Sequence, residues 1–117
     1  MVVNNQMNDD VVVRELKPYR DKLDVINEQI IALLANRMEI CRTIANVKAR
    51  ENIPMMQKSR VEFTLNKMKS LSANYQLNPS YIEDIFERII HETCEEELVI
   101  IKGSSRISGK QIRKTVG

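Results

Sequence analysis

Leu16, Tyr19, Leu23, Ile26, Ile30, Leu33, Arg37, Ile40, Ile44 and Val47 recur along the chain in alternating steps of three and four. That interval marks a helix packing along one stripe. Neither glycine nor proline interrupts Tyr19 to Ile53. At about 1.5 Å per residue the run predicts a rod of roughly 50 Å. A compact domain of about 100 residues has a radius of gyration of only ~13 Å. The rod is therefore expected to find much of its burial on another subunit.

Further along, Asn52, Ile53 and Pro54 end this helix, because the residue before a proline is pushed out of the helical region. A short loop, Pro54 to Lys58, follows. Ser59 and Glu62 have the spacing of a capping box, which predicts a second helix from Ser59 to about Leu71. Glu62 is then a cap partner rather than a catalytic carboxylate. Ser72 to Asn78 read as a polar connection, with Asn78 as N-cap and Pro79 at the first helical position. The third helix packs through Ile82, Ile85, Phe86, Ile89, Ile90, Thr93 and Glu97. The predicted fold is all-α, with three helices per chain. Its boundaries are a flexible N-terminal segment over 1–13, a helical domain over 14–101 and a basic flexible tail over 102–117.

Composition agrees with a single helical domain: 117 residues, 43% hydrophobic, with three glycines and three prolines. A chain this short buries its core more easily as an oligomer. The formal charge of +2 hides an asymmetry. Lys102, Arg106, Lys110, Arg113 and Lys114 lie in a tail without acids, and the remainder carries 13 basic and 16 acidic residues, a net of about −3. A general nucleic-acid surface is not expected. Cys41 and Cys94 form no CxxC motif and His91 is the one histidine, so no zinc or redox signature is present. Two reduced thiols in a cytoplasmic protein are the expectation. Met1 to Asp10 lack the basic and apolar regions of a secretory signal, and no stretch reaches the ~18 apolar residues of a membrane span.

Candidate chemistry begins with two cations on the apolar stripe. Arg37 stands where an aliphatic residue belongs, and Lys48 lies 11 residues on, within ~20° of the same direction on a helix. Either cation alone is well explained by an alkyl stem lying along apolar surface with its head in water. Two together, with no acidic residue on that stripe, call for an anion, because an unpaired buried cation is costly. Arg20 points about 100° away from Arg37 and would serve a neighbouring subunit's site more naturally. Arg60 falls in the first turn of the second helix, where the dipole disfavours a cation, which again suggests an anionic ligand. On the third helix, Thr93 can bond back to a helix carbonyl, and Glu97 alone of the Glu95 to Glu97 run projects along the packing face.

The pattern Arg20, Arg37, Lys48, Pro54, Arg60, Thr93, Glu97 on three helices resembles the all-helical, AroQ-type chorismate mutases, over about Leu16 to Ile101. The stretch from Ile31 to Lys48 is similar to that family's first helix. The resemblance implies an intertwined homodimer in which the long helices pair, with Arg20 contributed to the partner's site. It implies a [3,3] Claisen rearrangement of an enolpyruvyl ether, a small dicarboxylate, with no metal or cofactor. Arg20, Arg37 and Arg60 would hold the two carboxylates, since guanidinium forks match carboxylate geometry. Lys48 would donate to the ether oxygen, where negative charge grows as the bond breaks.

Three positions depart from the common bacterial pattern of that family. Val61 stands where a carboxylate meets the ring hydroxyl, Gln57 replaces an acidic loop residue, and Glu97 stands where a glutamine donates to the ether oxygen. An ionised carboxylate only accepts hydrogen bonds, so in that role Glu97 must carry a proton. Pro54-Met-Met-Gln57, Arg60-Val61 and Cys94 are similar to the branch acting on 4-amino-4-deoxychorismate, and Arg60-Val61 also occurs in isochorismate pyruvate lyases. A mutase on chorismate or its 4-amino analogue is the principal expectation. The alternatives are the lyase and a catalytically silent helical dimer that binds a partner.

Overall fold

In a computed structural model of the chain, residues 2–109 are described, with side chains described over 9–103. The described elements are four helices, α1 (Val2–Glu15), α2 (Lys17–Glu51), α3 (Lys58–Asn74) and α4 (Pro79–Gly109). Three of them, α2 to α4, are the helices expected from the pattern. The fourth corrects the expected count.

α1 covers a segment in which no glycine or proline occurs before Pro18, so nothing in the backbone forbids a helix there. The interruption at Leu16 falls beside Pro18, which has no N–H to give the preceding turn. Backbone bonds still bridge the joint, from the Leu16 N–H to the Val12 carbonyl at 2.8 Å and from the Arg20 N–H to the Leu16 carbonyl at 2.9 Å. At the other end, α4 continues past Lys102 to Gly109, over the first half of the stretch read as a tail. Residues 110–117 of that tail lie outside the described residues.

The chain falls into two units, one up to Arg37 and one from Met38 onward. The first contains α1 and the greater part of α2. Its apolar stripe stands open: Tyr19 is 65% exposed, Leu23 56% and Leu33 66%. The second contains the end of α2 together with α3 and α4, which pack on each other as a helical hairpin. Lys69 and Glu83 bridge that hairpin at 3.5 Å. The residues withdrawn from solvent here are Cys41 and Ala45 of α2, Ser72 of α3, and Thr93 and Glu97 of α4. Ile40 and Ile44, each one position before a buried neighbour, remain exposed. Two adjacent strips of α2 thus have different environments.

The ends of α2 and α3 share one solution. Past α2, Asn52 adopts φ 57° and the Ile53 N–H reaches back to the Lys48 carbonyl at 2.9 Å. Past α3, Gln76 adopts φ 58°, its N–H meets the Ala73 carbonyl at 3.2 Å, and the Leu77 N–H meets the Ser72 carbonyl at 3.0 Å. Both are Schellman caps, in which a left-handed residue turns the chain so that late carbonyls are satisfied. Glycine usually fills that position, but every glycine in this chain lies beyond Lys102. Asparagine tolerates the left-handed region better than glutamine, so Gln76 carries more strain.

Helix starts follow different rules. Asn78 caps α4 as expected, its side-chain oxygen accepting the Ser80 N–H at 2.9 Å, with Pro79 first in the helix. The capping box at Ser59 is not formed. α3 begins at Lys58, with Gln57 as N-cap and no side-chain cap bond. The Gln57 carbonyl accepts the Arg60 and Val61 N–H groups at 3.0 and 3.2 Å, which draws Ser59 inside the first turn. Glu62 is exposed and is no cap partner.

At fixed protein concentration, Gln76→Gly is expected to raise the unfolding free energy by about 0.5–1 kcal/mol, and Gln76→Val to lower it by about 1–2 kcal/mol. Urea titration of the three proteins checks both signs.

Candidate active site

The end of α2 carries Lys48 on the same strip as the buried Cys41 and Ala45, one turn before the helix stops. Its ammonium donates to two acceptors, the Met55 carbonyl at 2.7 Å and Glu97 Oε1 at 2.9 Å. The pair is withdrawn from water, with side-chain exposures of 13% for Lys48 and 7% for Glu97. The Schellman turn at Asn52 folds the chain back, so that Met55 returns to the helix end that has just been left. An ammonium has three protons, and these contacts use two of them.

On α4, Thr93 and Glu97 lie one turn apart and are both buried. Thr93 Oγ1 donates to the Ile89 carbonyl at 2.9 Å, the back-bond that lets a hydroxyl sit inside a helix. Cys94 lies between them in sequence and is half-buried. Burial pushes its thiol above the ordinary range, the Glu97 carboxylate pushes it further, and Lys48 opposes both. A thiol shifted this way stays protonated at neutral pH and is no nucleophile. Beside the pair, Arg42 and Glu96 meet at 2.8 Å in a more exposed bridge between α2 and α4. Consecutive glutamates on α4 therefore bind different cations of α2.

Of the residues singled out in the sequence, the second unit brings Lys48 and Glu97 into direct contact, with Cys94 in the same electrostatic neighbourhood. Gln57 is the exposed residue that opens α3, and Val61 is half-buried in its first turns. Arg60 is exposed, and its guanidinium carbon lies 5.0 Å from the centroid of the Phe63 ring. Arg20 and Arg37 belong to the first unit, where both stand on α2, Arg20 exposed and Arg37 half-buried. Two participants escaped the sequence reading. The Met55 carbonyl has no side-chain signal at all, whereas Phe63 could have been found as the aromatic three residues beyond Arg60 on one helix face.

A carboxylate and an ammonium held together out of water place an acceptor and a charged donor side by side. They offer no activated nucleophile. The site thus suits a reaction that needs positioning and charge placement.

Comparison with known proteins agrees with that chemistry. Residues 19–98 match the family described as chorismate mutase type II. The chain is 28% identical over 91 residues to the 4-amino-4-deoxychorismate mutase of Streptomyces venezuelae, which covers 78% of this chain and 88% of that protein. It is 27% identical over 82 residues to the 4-amino-4-deoxychorismate mutase of Streptomyces pristinaespiralis, covering 70% of this chain and 64% of that protein. It is 32% identical over 79 residues to the bifunctional chorismate mutase/prephenate dehydratase of Buchnera aphidicola subsp. Schizaphis graminum, covering 68% of this chain but only 20% of that longer protein. The matched region contains the whole of the Lys48 and Glu97 site, and the chain belongs to the chorismate mutase type II family of isomerases.

Proposed function

We propose that the chain rearranges 4-amino-4-deoxychorismate to 4-amino-4-deoxyprephenate, with chorismate as the competing substrate. The observation that carries the reading is the buried Lys48–Glu97 pair latched to the Met55 carbonyl. An ion pair at such a place adds little stability over an apolar pair of the same volume, so its presence calls for a chemical reason. In the proposed mechanism Lys48 turns its unused proton toward the ether oxygen as the C–O bond breaks. Glu97, carrying a proton in that state, donates to the same oxygen. Thr93 and Gln57 line the substrate.

The amino substrate is favoured by two observations. Val61 is an apolar, half-buried residue that offers no acceptor to a ring hydroxyl. The Streptomyces venezuelae relative matches over 88% of its length, whereas the bifunctional chorismate mutase/prephenate dehydratases of Buchnera aphidicola match over about a fifth of theirs.

The exposed stripe of α2 is the support for a homodimer. Tyr19, Leu23, Ile26, Ile30, Leu33, Ile40 and Ile44 are all more than two-fifths exposed on one chain. A run of that length is far more apolar surface than a monomer leaves in water, and a second copy of α2 has the matching period. Arg37 and Arg60 would then hold the substrate carboxylates, with Arg20 supplied to the partner's site. Among the described residues no helix is long and apolar enough to cross a membrane; the two reduced thiols, Cys41 and Cys94, are the support for a reducing, cytoplasmic setting.

Parallel turnover of 4-amino-4-deoxychorismate, chorismate and isochorismate tests the substrate. Rearrangement of the amino compound with the highest kcat/KM is expected, release of pyruvate would replace the mutase with a lyase, and no turnover by an intact dimer would leave a binding module. Lys48→Ala should lower kcat by about a hundredfold, near 3 kcal/mol. It also strands the Glu97 carboxylate, so Lys48→Ala/Glu97→Gln should recover melting temperature without recovering rate. Because a donating Glu97 must carry a proton and a glutamine amide donates without one, Glu97→Gln should keep or raise kcat. A loss of rate in Glu97→Gln as large as that of Lys48→Ala argues against a donor at that position. Finally, mixing inactive Arg20→Ala and Arg37→Ala subunits should restore part of the activity, since a hybrid dimer contains one intact site. Mixed dimers that stay inactive argue against a shared site.

A further inference from the structure

Arg60 occupies the first turn of α3, where the unbonded N–H groups and the helix dipole both disfavour a cation. No acidic residue lies in that turn, and no described carboxylate pairs with the guanidinium. What Arg60 has instead is the face of Phe63, 5.0 Å from guanidinium carbon to ring centroid. Lys67 Nζ stands 5.6 Å from the same centroid, so cations at positions i−3 and i+4 bracket the ring. Phe63 is itself 51% exposed, so this arrangement is not explained by burial of the ring in a core.

We propose that Phe63 is a positioning residue for substrate binding: its ring restrains the Arg60 guanidinium in an open first turn, ready to take a carboxylate. This rests on the reading of Arg60 as a carboxylate-binding residue. The contact suits the task because a cation–π interaction acts on the charge of the guanidinium and takes up none of its five N–H donors as a hydrogen bond, so two remain for a carboxylate. A carboxylate partner for Arg60 would have fixed it equally well, but would have occupied those donors and cancelled the charge. A ring restrains the side chain while consuming none of its hydrogen-bonding capacity. The cost of immobilising a long side chain on binding is thereby met before the ligand arrives. Lys67 on the far flank adds positive charge to the same patch, which makes Phe63 the centre of a small anion-attracting surface.

The test is the dissociation constant of the bicyclic dicarboxylate that mimics the rearrangement transition state, measured by titration calorimetry for wild type, Phe63→Leu, Phe63→Tyr, Arg60→Ala and Arg60→Ala/Phe63→Leu. Phe63→Leu keeps an apolar side chain of good helix propensity and should weaken binding by roughly two- to fivefold, the size of an exposed cation–π contact. Phe63→Tyr should restore it. In the Arg60→Ala background, Phe63→Leu should add nothing, because the ring acts only through the guanidinium. In turnover, Phe63→Leu should raise KM with kcat close to wild type. Equal binding by Phe63→Leu and wild type, or the same loss with and without Arg60, would overturn the inference while leaving the carboxylate role of Arg60 intact. Wild-type binding by Arg60→Ala, or no binding of the mimic by any of the proteins, would overturn that role and the inference together.

Discussion

Removal of one ammonium and one carboxylate from water is the constraint around which the second unit is arranged. Lys48 and Glu97 lie 49 residues apart in the chain and 2.9 Å apart in space. Two charges desolvated this far are tolerated only where the geometry is good and the remaining protons and lone pairs find partners. The Met55 carbonyl supplies one such partner, and it is available because Asn52 turns the chain back over the end of α2. The helix cap, the loop and the ion pair are therefore one device. Loosening any part of it would leave a charge without its partner, an error costing more than the intact pair contributes. The neighbouring Arg42–Glu96 bridge has no such leverage, since solvent screens it.

The chemistry that remains open to such a site is narrow. Its thiol is held protonated by burial and by Glu97, and its buried hydroxyl donates to a carbonyl of its own helix. What is left is a directed set of charges with one unused ammonium proton. A pericyclic rearrangement asks for little else, because bonds form and break within one molecule and the protein stabilises a shift of charge toward an oxygen. The local geometry is compatible with the class of reaction to which membership of the chorismate mutase type II family points.

Surface and site are connected through α2. One strip of its second-unit portion buries Cys41 and Ala45 and ends in Lys48, while the adjacent strip, Ile40 and Ile44, faces outward. A single helix can serve both an internal site and the proposed subunit interface because a shift of one residue rotates a side chain by about 100°. The same economy shows at the helix ends, where a chain with no glycine before Gly103 uses Asn52 and Gln76 in the left-handed region.

Much of this was legible beforehand, and the limits follow from physics. Periodicity identified α2 and α4, the Ser59–Glu62 spacing suggested α3, and Pro54 and Asn78-Pro79 marked where helices end and begin, because those signals act within about one turn of helix. The same local logic failed at Ser59, where a correctly spaced capping box lost to the Gln57 carbonyl, which captured the Arg60 and Val61 N–H groups and started the helix earlier. It also passed over α1, where a polar segment without helix breakers is helical. Lys48, Glu97 and Thr93 could be named from their place on apolar faces, since charge at a buried helical position is visible in sequence. By itself, then, the sequence determined most of α2, α3 and α4 and that Thr93 and Glu97 face inward. Only the tertiary structure decided that Lys48 meets Glu97, that the Met55 carbonyl completes the pair, and that Arg42 takes Glu96, because such partnerships depend on how separate helices cross, and periodicity within one helix carries no information about the neighbour it will meet.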